Sequence, residues 1–112
     1  MAVASIDVLT NSVTATAAIA ANTPVTGLGA MAAAGARALG FAKSAGAIGD
    51  RVPVVTEGTV VAISGAAIAV DALVEVGTAG QVITKAAGVA VGRAMTAASG
   101  AGQQLEVLLI QN

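Results

Sequence analysis

Chemistry at a protein site needs groups that hold, give or take a proton, attack an electrophile or bind a metal, and this chain carries few of them. It has no histidine and no cysteine, which removes the usual general base, the usual zinc ligands and the thiolate nucleophile together. The carboxylates are Asp7, Asp50, Glu57, Asp71, Glu75 and Glu106. No pair of them has metal-ligand spacing, and carboxylates without histidine would suit only a hard cation. No metal is expected. Asp50 and Asp71 fall at or near turns, where aspartate commonly bonds its own backbone, and Glu57 precedes Gly58 in what reads as a tight turn. Ser44, Ser64 and Ser99 have no base to activate them. Gly27-Leu-Gly29 and Gly46-Ala-Ile-Gly49 have the glycine spacing of phosphate loops, but neither leads into a long helix and no Gly-Lys-Ser or Gly-Lys-Thr follows. They read as turns. The expectation is a protein that is not an enzyme, with no cofactor and no small-molecule substrate.

The cations point the same way. Arg37, Lys43, Arg51, Lys85 and Arg93 are scattered, with no aromatic residue between them for base stacking. At a net charge of −1 and 10% charged residues, the chain has no basic field for phosphates, so nucleic acid is not an expected partner. One lysine has a rival reading. Lys85 lies near a turn, as the modified lysine of a biotinyl or lipoyl carrier domain does, although its neighbours are Thr84 and Ala86 where such domains place methionines.

The elements that must position any site are themselves lean. At 112 residues the length fits one domain, burying roughly two-thirds of the surface its unfolded chain exposes. The hydrophobic fraction of 56% is nearly half alanine, which brings little apolar area, so the core must come from Val, Ile and Leu. With one Phe and no Trp or Tyr, aromatic anchors are missing, and further burial through self-association is expected. Despite a mean hydropathy of +0.89, no window reaches the ~18 consecutive apolar residues of a spanning helix, and the first residues lack the basic region of a signal peptide. A soluble protein, with no membrane partner, is the expectation.

The pattern is that of strands and glycine turns. Thr59 to Ser64 is the clearest β-branched strand, apolar on both faces, and Arg51 to Thr56 alternates, with Pro53 suggesting an edge or a bulge. Strands are also expected over Val13 to Ala21, from Val25, and over Ala38 to Ala42, Leu73 to Val76, Gln81 to Thr84, Val89 to Thr96 and Gln104 to Gln111. Gly27 to Gly35 reads as a loop with one short strand. Short strands at about 8 to 12 residue spacing argue for an all-β fold, a small sandwich or barrel-like domain. The order of features also recurs. Ile19-Ala-Ala-Asn-Thr-Pro-Val25 is matched by Ile68-Ala-Val-Asp-Ala-Leu-Val74, Leu39-Gly-Phe-Ala42 by Val91-Gly-Arg-Ala94, and Gly49-Asp-Arg-Val-Pro-Val54 by Gly102-Gln-Gln-Leu-Glu-Val107. The expectation is an extended N-terminal arm over 1–14, which also suits an edge strand, and a β domain over 15–112 that uses one unit twice, at 19–56 and 68–111.

The same motifs, with Gly58-Thr-Val-Val61 and Leu105-Glu-Val-Leu-Leu109 in that order, resemble the capsid cement, or head decoration, proteins of tailed bacteriophages. Asn22 stands where that pattern has Gly before "Thr-Pro-Val", and Val70-Asp-Ala replaces "Gly-Asp"; both still suit tight turns. The resemblance implies a β-rich structural protein made in the host cytoplasm and carried on the outside of the virion's icosahedral head. There it would bind the major capsid protein, often as a homotrimer at three-fold and quasi-three-fold positions. On that reading Ala2, Val3, Ala4, Ser5, Ile6, Asp7, Val8 and Leu9 reach onto the capsid. The two-faced terminal strand, through Leu108 and Ile110, packs between subunits, with Arg51 and Arg93 pairing with Glu106 or Asp50 across the interface.

Overall fold

β-branched residues fill the segments that pair, while glycine and alanine fill the segments that join them. The computed structural model describes residues 5–112. Its strands are β1 (Ile6–Thr14), β2 (Pro24–Val25), β3 (Gly40–Ala42), β4 (Arg51–Ile63), β5 (Leu73–Val76), β6 (Val82–Thr84), β7 (Gly92–Ala94) and β8 (Gln104–Leu109), with a three-residue 3-10 turn at Thr78–Gly80. All the ladders are antiparallel and belong to one sheet in the order β2-β3-β4-β8-β7-β5-β6, with β1 added alongside β4. The sheet curls into a half-barrel. Past the end of β4, Gly65 N–H donates to the Val82 carbonyl at 2.8 Å beside a parallel bridge from Ser64 to Val82, so the second half curls until its edges touch. In the first half, Thr16 N–H reaches the Gly29 carbonyl at 2.9 Å.

The two halves make the same backbone bonds. Ile19 and Gly46 exchange a pair of hydrogen bonds, as do Ile68 and Ala98. Asn22, with φ 61°, donates to the Ala42 carbonyl, and Asp71, with φ 74°, donates to that of Ala94. Gly49 N–H meets Ala15 O and Gly102 N–H meets Ser64 O. The pairing Val13↔Val52 recurs as Ala62↔Leu105, and Phe41↔Val55 recurs as Arg93↔Leu108. β4 therefore has two parts to play: its first part closes the first half, and its second part stands where β1 stands in that half.

A bend in β4 makes this possible. The register with β1 slips between Asp7 and Leu9 and again between Leu9 and Thr10, leaving Val8 and Thr56 without partners. One extra residue reverses which side chains face a given side. Thus Val52 and Val54 pack in a cluster with Val13, Ala15, Ile19, Val25 and Ala42. Beyond the bulge, Val60 and Ala62 enter the larger cluster around Val74, Val91, Leu105 and Val107, the same cluster that receives Val55 and Phe41 from the first half. Gly58 sits at the bend with φ 110°, and a Cβ there would lie 2.0 Å from the Ile6 carbonyl oxygen. Only glycine fits.

Several expectations are corrected by this geometry. Glu57-Gly58 is no turn, because the chain stays extended there and is paired to β1. The segment Ile6–Thr14 is a strand of the sheet from its first described residues on. The strand expected over Val13 to Ala21 stops at Thr14, with Ile19 alone bridging to Gly46, and the strand expected over Val89 to Thr96 shrinks to Gly92–Ala94. The strand that holds Pro53 is not at the sheet edge, although it does carry a bulge, the other feature that Pro53 suggests, further on at Thr56. The Pro53 carbonyl accepts from Lys43 N–H at 2.9 Å, and since paired antiparallel residues turn N–H and C=O to the same neighbour, its missing N–H falls just past the end of β3. There it costs at most one terminal bond.

Of the six carboxylates, Glu75 is buried, a state that no turn or spacing signal in the sequence marks. Glu75, inside β5, accepts hydrogen bonds from Ala86 N–H and from Gly88 N–H at 3.1 Å, fastening the loop between β6 and β7 back over the sheet.

Gly58→Ala is expected to cost about 1–3 kcal/mol from its backbone conformation alone, and more if β1 lifts away, lowering the melting temperature by roughly 5–15 °C in calorimetry. An unchanged melting temperature contradicts the bend. Phe41→Ala, which empties the junction between the halves, is expected to cost about 3–5 kcal/mol by urea titration; a loss under about 1 kcal/mol means the junction does not bear on stability.

Candidate functional site

Three surfaces group exposed apolar side chains with charged or polar ones; Leu28, Ile48 and Val70, also exposed, stand apart on loops. The first is the free edge of β1, whose only ladder among the described residues is with β4. Ile6 is 63% exposed, Val8 69% and Leu9 45%. Val8 is the bulged residue, which turns it outward. The edge is held from behind: Asp7 pairs with Lys43 at the end of β3, and the Arg51 guanidinium donates to Ser12 Oγ at 2.7 Å and Thr14 Oγ1 at 3.3 Å. Of the residues expected to reach the capsid, Ser5 through Leu9 lie along this edge, while Ala2, Val3 and Ala4 fall outside the described residues.

The second surface is a groove of 320 Å³ beside the bend, lined by Leu9, Asn11, Leu39, Phe41, Thr56 and Glu57 among others and bounded by the C-terminal residues. Asn112 closes one side by accepting Ala38 N–H on Oδ1 at 2.9 Å. The groove mixes leucines with amide, hydroxyl and carboxylate groups, and sequence reasoning did not find it. Its parts come from β1, β3, β4 and the C-terminus, which no local spacing brings together.

The third is the outer face of the second half. Thr59, Leu108, Arg93 and Leu73 form one row across β4, β8, β7 and β5, since directly paired residues share a face. Leu108 is 41% exposed, Met95 48%, and Val61, Ile63 and Glu106 are half-buried. The expected two-faced terminal strand is thus covered on one side by Leu105 and Val107 and bare on the other at Leu108, with Ile110 half-buried past its end. Arg93 donates to the Asp71 carbonyl at 2.8 Å, with the Asp71 carboxylate 3.5 Å away. Within the chain, then, Arg93 turns to Asp71 and Arg51 to hydroxyls of β1, neither to Glu106 or Asp50.

No surface assembles reactive groups. Among the described residues, no three His, Cys, Asp or Glu side chains come together to hold a metal ion, and no helix is long and apolar enough to cross a membrane. Ser64 is buried, donating to the Gly100 carbonyl at 2.6 Å and accepting Gln103 N–H at 3.1 Å, a structural clasp. Asp50 Oδ2 accepts Ala47 N–H at 2.9 Å, the local turn bond that aspartate favours. Lys85 follows β6, which pairs with β5 and not with β7. It is therefore not at the tip of a hairpin, where a carrier domain must hold its lysine, and the loop it enters is tied down by Glu75.

Comparison with known proteins places the chain in a family. A search of curated proteins finds no match. Among solved structures, the N base of the head fiber gp8.5 of bacteriophage phi29 shares the fold, with a TM-score of 0.72 over 91% of this chain and 93% of that one, at 18% identity. The family model described as phage cement protein matches residues 3–109. With nearly the whole length matched, the chain belongs to the phage cement protein family, structural proteins that decorate the capsid of the virion.

Proposed function

We propose that this cement protein binds the major capsid protein on the outer surface of the head through the β1 edge, as a homotrimer whose chains each use one β unit twice, and that it catalyses nothing. The observation that carries the binding reading is the unpaired β1 edge with Ile6, Val8 and Leu9 exposed along it. A strand with an open edge is a template for another strand, its backbone groups supplying affinity and its side chains supplying selectivity. A β-rich surface without nucleophile, histidine or metal cluster suits holding a shell together.

Affinity per contact can be modest. A decorating subunit repeated over a symmetric lattice, and docked at several points as a trimer, gains its hold from the number of contacts held at once. Tension in the shell then pulls against many small joints. Aromatic hot spots, which this chain lacks, are not needed for that.

The I6D/V8D double variant places charge on two outward side chains of β1. It is expected to keep the wild-type melting temperature within about 3 °C, because both sites are solvated. Cosedimentation with heads of the cognate phage is expected to weaken at least ~10-fold. Binding at wild-type strength by the folded variant removes β1 from the contact.

A further inference from the structure

Comparing the two halves position by position shows one face covered in the first and bare in the second. The row Thr10, Val55, Phe41, Pro24 of the first half matches the row Thr59, Leu108, Arg93, Leu73 of the second, pair for pair along the ladders. Val55, Phe41 and Pro24 are fully buried. What covers Phe41 and Val55 is the second half: their cluster is otherwise built of residues from Val60 to Val107, with Ala32. On the matching face of the second half Leu108 and Arg93 are exposed and Leu73 is half-buried, with Thr59 alone buried among the four.

Positions that are open in both halves differ in kind. Where the first half exposes Ser12, Thr14 and Lys43, the second presents Val61, Ile63 and Met95. The first set is polar and engaged within the chain, Ser12 and Thr14 by the Arg51 guanidinium and Lys43 by Asp7. Apolar replacement at the matched positions, half-buried at Val61 and Ile63 and exposed at Met95, marks the second face as one that a protein covers.

The receiving end has changed in step. Phe41 shares its cluster with Val60 and Val91. The matching positions in the first half are Asn11 and Leu39, and both line the 320 Å³ groove, with Glu57 beside them. An apolar plug in an apolar socket becomes a cationic plug, Arg93, facing a socket with an amide and a carboxylate.

We propose that a second copy of this chain docks here: the outer face of one copy's second half, led by Arg93 and Leu108, seats in the groove of the next copy's first half beside Glu57, repeating between chains the joint made within each. The joint is heterologous, the kind that builds a ring when the rotation between copies closes; the proposed assembly is the closed form, with in-chain and between-chain joints alternating. This deepens the self-association part of the reading above and is independent of where the ring sits on a head. Arg93 then exchanges its exposed partner Asp71 for Glu57.

The test is the mass of the purified protein in solution, without capsids, by sedimentation. Wild type is expected as a discrete ring of several 10.5 kDa chains. R93E and E57R are each expected to weaken assembly by at least ~10-fold, and R93E/E57R to return it to within about threefold of wild type, since like charges facing across an interface repel and the exchanged pair attracts. Circular dichroism checks that each variant is folded. Because the chain has no cysteine, mixed E57C and R93C chains give a second readout, with mixed-chain disulfides expected over like-with-like ones. A monomeric wild type, an open-ended series of masses, single variants that assemble as wild type, a double variant that stays apart, or predominantly like-with-like cross-links each overturn the proposal. Rings that ignore capsids leave it standing and count against the capsid reading instead; capsid binding by a monomer does the reverse.

Discussion

Everything in this fold depends on one strand changing sides. β4 runs thirteen residues without leaving the sheet, yet the extra residue at Thr56 and the left-handed Gly58 reverse the sense of its alternation. Its first part gives Val52 and Val54 to one small core, and its second gives Val60 and Ala62 to the other. Without the reversal, the second part would turn those residues to solvent. The bend also lets the first half's outer face, at Phe41 and Val55, lean into the larger core, so that two lean cores share a wall. For a chain whose apolar content is nearly half alanine and almost free of aromatic residues, sharing is how enough area is buried: valines fill layers that aromatic side chains fill elsewhere.

Much of this was legible. The strand Leu73–Val76, the start of the last strand at Gln104 and the turn at Gly46 to Asp50 stand where β-branched alternation and glycine signals put them. The all-β class and the family came from the order of these motifs. What local pattern could not supply was the state of Glu57-Gly58. A Glu-Gly pair between two apolar runs has the composition of a hairpin turn, and only the presence of β1 across the sheet, with Asp7 opposite Gly58, makes it a bulge instead. Strand lengths were overstated for a related reason. At Ala15 to Ala21 and Val89 to Val91 the residues suit a strand, but their backbone bonds go to scattered neighbours, Asp50, Gly29, Gly46 and Gly49 for the first and Gly35, Val74 and Ile110 for the second, so no ladder runs on.

The candidate surfaces divide similarly. Ile6, Val8 and Leu9 were visible as an apolar run at the start of the chain, and the structure gives them an edge to stand on. Leu108 was visible from alternation. The groove at Leu39 and Glu57, and the buried Glu75 with its two backbone donors, belong to tertiary juxtaposition. A weak signal for Glu75 did exist, since a carboxylate flanked by Val74 and Val76 needs bonds from somewhere. The difference between the halves was also on the page in the sequence, as Phe41 against Arg93 and Lys43 against Met95, once the strands fix which positions correspond.

A protein of this kind works by adding contacts where a shell would otherwise part, so its central demand is that its open strand edge be occupied on the head. Hydrogen–deuterium exchange of the protein, free and bound to heads of the cognate phage, reads that edge directly. The amides of Ile6–Thr14 that exchange fastest in the free protein are predicted to slow by at least ~10-fold on the head. If they exchange at the same rate bound and free while another surface slows, the strand edge is not what holds the capsid.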